Sequence, residues 1–172
     1  MSALTYSWFM EARTLHAPLD ALSAANRPQG IEIATLTTFD IPALAVLTLE
    51  AYDDAVTPEA LLETSEELRL TFEGAFGATT EDSFVGAWDG GTLIGAILVV
   101  RESPWDDAPD GPFVVDLIVA PDYRRRGIAT ALVSEVATRC TNWGFDTLAL
   151  RLDSRHGGAR ELYSMLGFEE IA

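Results

Sequence analysis

The chain has 172 residues, 48% of them hydrophobic, which is enough for a single domain around one substantial core. Its 27 acidic residues outnumber 11 basic ones, and the resulting net charge of −16 excludes a general nucleic-acid binder, which needs an extended basic face. No apolar run reaches membrane-spanning length and no basic-then-apolar leader is present, so a cytoplasmic protein without membrane contact is expected.

In chain order, Ile31–Leu36 alternates like a half-buried strand. Asp40 is placed to cap the next helix, with Pro42 in its first turn and apolar positions at Leu44, Val46, Leu47 and Tyr52. A second helix starts after Thr57-Pro58 and runs through Leu61, Leu62, Leu68 and Phe72, with Gly74 and Gly77 ending it. Two apolar runs, Ser83–Trp88 and Thr92–Val100, flank Asp89-Gly90-Gly91, a strong hairpin signal. Arg101–Gly111 reads as a loop, followed by a strand at Val114–Val119. A basic turn, Arg124-Arg125-Arg126-Gly127, then opens onto a helical pattern at Ile128, Ala129, Leu132, Val133, Val136 and Ala137. Cys140 continues that helix and reads as a buried structural thiol; one cysteine excludes an internal disulfide and a cysteine-based zinc site. A further apolar strand, Thr147–Leu152, precedes a helical segment around Ala159–Leu166.

The strand–turn–helix unit is the informative one. A helix start offers orphan amides and the positive end of the helix dipole, and both favour anions. Gly127 allows close backbone approach, Ala129 keeps the next turn small, and three of the eleven basic residues stand together in front of them. The pattern is built to hold a polyphosphate. Competing chemistries lack their residues. Without lysine there is no P-loop, and Gly-x-Gly-x-x-Gly and Gly-x-Ser-x-Gly are both absent. His16 and His156 are too isolated for a metal site.

The spacing Arg-x-x-Gly-x-Ala at Arg124, Gly127 and Ala129 resembles the acetyl-CoA signature of the GCN5-related N-acetyltransferases (GNAT). The ending Ala159, Leu162-Tyr163, Gly167-Phe168 resembles the same family's second signature, and the two together cover about residues 113–168. The resemblance implies a mixed α/β (α+β) fold, a mixed central sheet flanked by helices, and transfer of acetyl from acetyl-CoA, as co-substrate, to a primary amine of a small molecule or peptide. It implies that main-chain groups of Leu117, Ile118 and Val119 hold the pantetheine arm. It places Arg124, Arg125, Arg126, Gly127, Ile128, Ala129 and Thr130 around the pyrophosphate. Tyr163 matches the usual general acid, since a phenol with a pKa near 10 stays protonated at neutral pH; a tyrosine merely packed beside Phe168 is the alternative. His156 stands where the family often has an asparagine that contacts CoA. Arg160, like Arg155, reads equally as a ribose-phosphate contact or a solvated charge.

Asp116 is a carboxylate among Val114, Val115, Leu117 and Ile118, and is a candidate base with a raised pKa or else an ion-paired or hydrogen-bonded edge residue. Glu50, Tyr52 and Asp53 fall where the resembled family shapes its acceptor site. The acidic surface is compatible with a cationic acceptor; compositional bias of the source, which the absence of lysine suggests, is the competing reading. A second class of function stays open: a non-catalytic module that binds CoA or a protein partner.

In the resembled family Gly-Phe is followed by two strands, the second lying against the strand equivalent to Thr147–Leu152. Here only Glu169–Ala172 follow. Residues 1–30 are therefore read as an extension, with a strand at about Thr5–Thr14 and a linker at Ala17–Gly30, ahead of an N-acetyltransferase domain at 31–172. The extension is expected to supply the missing strand, as in a circular permutation, within one chain or exchanged in a homodimer.

Overall fold

The computed structural model describes residues 13–22, 26–103, 105–152 and 159–171. Their elements are β1 (Arg13–Pro18), β2 (Ile31–Thr35), α1 (Ile41–Ala51), α2 (Pro58–Phe72), β3 (Phe84–Asp89), β4 (Thr92–Val100), β5 (Phe113–Val119), α3 (Ile128–Asn142), β6 (Thr147–Leu152), α4 (Ala159–Leu166) and β7 (Glu169–Glu170). They build one seven-stranded sheet in the order β2-β3-β4-β5-β6-β1-β7. Every neighbouring pair is antiparallel except β5–β6, which is parallel. The mixed α/β fold is as expected from the sequence.

Each face of the sheet buries its own core. On one face Ile128, Leu132, Val133 and Val136 of α3 pack with Val85, Ile97, Leu148 and Leu150, joined by Tyr163 and Phe168. On the other, Leu44, Leu47 and Leu68 of α1 and α2 cover Phe84, Ala96, Leu98 and Ile118. Each buried valine, leucine, isoleucine or phenylalanine among them contributes about 1.5–3 kcal/mol relative to exposure. Cys140 lies in the first core, and burial pushes its thiol up to about 12.

Local signals act as anticipated at α2, where Thr57 accepts from the Ala60 amide at 3.1 Å, and in the hairpin, where Gly90 takes φ 61°. Asp40 differs. Its carboxylate accepts the Thr37 amide at 2.7 Å and caps the short turn Thr38–Asp40, not α1.

The strand that completes the sheet edge is Arg13–Pro18, paired antiparallel with β6 from Arg13↔Leu152 to Pro18↔Thr147. Of the expected strand Thr5–Thr14 only Arg13 and Thr14 coincide with it; the rest lies outside the described residues, and Pro18 ends the strand where a linker was expected. The reason is alternation: Leu15 and Ala17 point into the core while Thr14, His16 and Pro18 do not. Pro18 is tolerated because Thr14 O accepts from Ile171 N–H on the β7 side at 3.0 Å. Parity turns the Pro18 nitrogen to that same side, beyond the two residues β7 spans. The short segment Glu169–Glu170 pairs with β1, so β1 lies between β6 and β7.

Candidate active site

The site begins with an irregularity in β5. Leu98 faces Asp116 across the ladder while Val99 faces Val114, leaving Val115 as an extra residue. A bulge of this kind shifts the in-out alternation by one. Before it Val114 points to the α3 face; after it Leu117 and Val119 do, while Val115, Asp116 and Ile118 turn to the α1 face. On the opposite side β5 pairs with β6 only at Phe113↔Ala149 and Val114↔Leu150. Beyond Val114 the two strands part.

Main-chain direction decides what faces that gap. Ala120 N–H donates to Ile94 O at 2.8 Å, so by antiparallel alternation Ile118 spends its amide and carbonyl on Ala96 in β4. Leu117 and Val119 face the gap. Of the three residues expected to hold the pantetheine arm, Ile118 is thus turned away.

The gap is lined by Asp116, Leu117, Leu150, Arg151 and Tyr163. Tyr163 comes from α4, is only 5% exposed, and packs edge-on against Phe168 with ring centroids 5.5 Å apart. Burial, and secondarily the negative charge of Asp116, hold its phenol above the ordinary value. Tyr163 is therefore a neutral donor throughout the physiological range. Asp116 enters from the other face, where the Tyr52 hydroxyl donates to its Oδ1 at 2.6 Å. Arg151 was not foreseen. It pairs with Asp107 and lies 5.0 Å above the Trp105 ring, fastening the β4–β5 loop beside the gap. A lone arginine in an apolar strand, together with Trp105-Asp106-Asp107, is the signal that could have found it.

At the end of β5 a short turn, Pro121–Tyr123, leads into Arg125 with φ 62° and Gly127 with φ 81° before α3 starts. The first-turn amides of Ile128, Ala129 and Thr130 have no intrahelical acceptor, and no side chain among the described residues caps them. Ile128 itself is buried and anchors the turn. The three arginines go separate ways. Arg124 donates through its guanidinium to Ala51 O at 2.6 Å and Val119 O at 3.3 Å. Arg126 lies 5.0 Å over the Tyr123 ring, whose hydroxyl donates to Asp89 at 2.6 Å. Arg125 makes no hydrogen bond or ion pair among the described residues. Arg160 is exposed on the first turn of α4; His156 and Arg155 lie outside the described residues.

The three expected acceptor residues are divided. Glu50 and Asp53 line a cleft of about 410 Å³, joined by Asp54, Asp122 and Tyr123, so four carboxylates border it. Tyr52 instead reaches Asp116. Asp53 sits in the left-handed region at φ 57°, ending α1 abruptly.

The acetyltransferase (GNAT) family model matches residues 47–168, most of the chain and all of the parted strands, basic turn and Tyr163 helix. The chain belongs to this family. Among solved structures it is similar to a GCN5-related N-acetyltransferase from Sphaerobacter thermophilus, with 23% identity and a TM-score of 0.65 over 94% of this chain, though it spans only 48% of that protein's length. It is also similar to the aminoglycoside N-acetyltransferase AAC(6')-Iy in complex with CoA, at 21% identity, TM-score 0.63, and coverage of 87% and 94% of the two chains. The ribosomal-protein-S18-alanine N-acetyltransferase from Escherichia coli gives 19% identity and a TM-score of 0.60, with 83% and 79% covered. At these identities the likeness establishes the GNAT fold. No curated protein matches by sequence.

Proposed function

We propose that this GNAT-family protein moves acetyl from acetyl-CoA to a primary amine of a small molecule or peptide by direct attack. The observation that carries the proposal is the parting of β5 and β6 beyond Val114, with Tyr163 and Asp116 at the gap. The Leu117 and Val119 main chain would take the place of strand pairing for the pantetheine arm, and an amide there would steady the developing oxyanion. The first-turn amides of α3 would receive the pyrophosphate, aided by Arg125 and Arg126. The amine nitrogen attacks the thioester carbonyl; on collapse the carbon–sulfur bond breaks, and Tyr163 gives its proton to the departing sulfur. Asp116, which accepts the Tyr52 hydroxyl, would take the proton from the amine, directly or through water. The acidic cleft beside the turn suits a cationic acceptor.

The test is release of CoA thiol from acetyl-CoA across a panel of primary amines. Amine-dependent release by the wild type, lost in Tyr163→Phe with CoA binding kept, supports the proposal. CoA binding without turnover of any amine refutes it and leaves a regulatory CoA-binding module.

A further inference from the structure

Arg124 is the first residue of the acetyl-CoA signature, yet its guanidinium is occupied by the protein's own main chain. Its Nη2 donates to Ala51 O at 2.6 Å and its Nε donates to Val119 O at 3.3 Å. Ala51 is the last residue of α1, so its carbonyl is among those left without an intrahelical donor, at the helix end that favours a cation. Val119 is the last residue of β5. A guanidinium is planar, and its donors stand at fixed angles, so bonding both carbonyls sets the separation of the two ends.

Each anchored carbonyl lies next to a part of the site. One residue beyond Ala51 is Tyr52, which holds Asp116 at 2.6 Å. Beyond Val119 the chain becomes the turn that starts α3. We infer that Arg124 is a positioning residue: it ties the acceptor-side end of α1 to the turn beneath the phosphates and is not itself a phosphate ligand. The inference rests on the acetyl-CoA reading above. With two bonds already made, the guanidinium adds only a screened positive field toward a bound pyrophosphate. Its larger effect is to keep Tyr52, and through it Asp116, in register with whatever the turn holds.

The experiment compares wild type with Arg124→Gln, Arg124→Lys and Arg124→Ala. Calorimetry measures CoA and pantetheine, the same thiol arm without phosphates, and amine acetylation is measured in parallel. A screened surface charge alters affinity by less than about fivefold, so CoA binding by Arg124→Gln should stay within that range. Its kcat/KM for the amine should fall by about tenfold or more, the scale of a lost charge-assisted hydrogen bond, mostly through amine KM. Arg124→Lys should not restore it, because one ammonium cannot span both carbonyls, whereas guanidinium ion should partly rescue Arg124→Ala. Loss of CoA affinity by about tenfold or more with pantetheine binding unchanged would mark Arg124 as a phosphate ligand and overturn the inference. If wild type binds no CoA, the functional reading fails by itself. Arg124 is then decided by amide exchange at Tyr52 and Asp54, whose N–H groups bond Thr48 O and Leu49 O. Faster exchange in Arg124→Gln supports the tether; unchanged exchange overturns it.

Discussion

Replacing Tyr163 by Phe removes one oxygen and little else. The ring keeps its edge-on contact with Phe168 and its place in the core beneath α3, so stability should change by no more than about 1 kcal/mol, the net value of one hydrogen-bonding group. A positioned general acid contributes about 10²–10⁴-fold, and kcat for amine acetylation should fall by that much while CoA affinity holds. The pH behaviour is set by the site. Burial, then the charge of Asp116, keeps the phenol protonated beyond the ordinary tyrosine range. The wild-type rate should therefore rise as the amine loses its proton, with no descending limb below about pH 10. Stability has a definite sign as well. The folded state holds the Tyr163 proton more tightly than the unfolded state, whose pKa is about 10, so its contribution is complete below that pH and is lost as pH climbs above it. The wild-type Tm should fall faster than that of Tyr163→Phe above about pH 10. Thiol release is the rate assay, and thermal melts at several pH values give the second readout. Retention of kcat within a few-fold by the Phe variant, at unchanged CoA affinity, would refute the assignment of Tyr163 as acid.

Deleting residues 1–18 strips from β6 its antiparallel ladder with β1, together with the buried Leu15 and Ala17; the product should precipitate or melt well below the full chain, and equal heat stability would contradict the role of β1. Leu15→Ala alone should cost about 2–5 kcal/mol by chemical denaturation. In Gly127→Val the added Cβ meets, among the described residues, only Pro28 Cγ at 3.9 Å, so the penalty at that atom lies in the left-handed backbone at φ 81°, about 1–2 kcal/mol, and calorimetry should show CoA binding lost as the turn is displaced. Cys140, fully buried with its thiol raised to about 12, should not react with a disulfide reagent until the chain is unfolded, and stoichiometric labelling of the native protein would contradict that burial.

Much of the fold is legible because its signals are local. The Asp89-Gly90-Gly91 hairpin, the Thr57 cap and the passage from β5 through Gly127 into α3 all rest on short-range periodicity and turn chemistry. The features that sequence could not show depend on distant partners. The bulge at Val115 exists only relative to the β4 ladder, and it decides that Ile118 faces β4 while Leu117 and Val119 face the gap. For the N-terminal strand, the aromatics of Leu4–Phe9 are the louder signal, because Leu15 and Ala17 are a thin alternation beside His16 and Pro18. Only the waiting edge of β6 makes them a strand. Arg124 reads as a phosphate ligand since nothing near it in sequence announces the carbonyl of Ala51. Asp40 could equally cap α1 or the turn before it, and the Thr37 amide decides.

The position of β1 sets the order in which this molecule can become itself. Arg13 is joined to Glu170 by an ion pair between residues 157 positions apart, and the strand that carries Arg13 lies against β6, which bears Arg151. During synthesis β1 leaves the ribosome long before either neighbour, and must remain unpaired while β2 to β5 assemble their antiparallel ladder. Contacts of such long range close slowly, and an unpaired strand is open to other chains in the interval. The half-sheet made first contains Asp116 and leads into the basic turn, whereas Tyr163 arrives with the half made afterwards. Under the proposed function, a nascent chain would thus present the turn proposed to receive the pyrophosphate well before the proposed proton donor, and binding would come before chemistry.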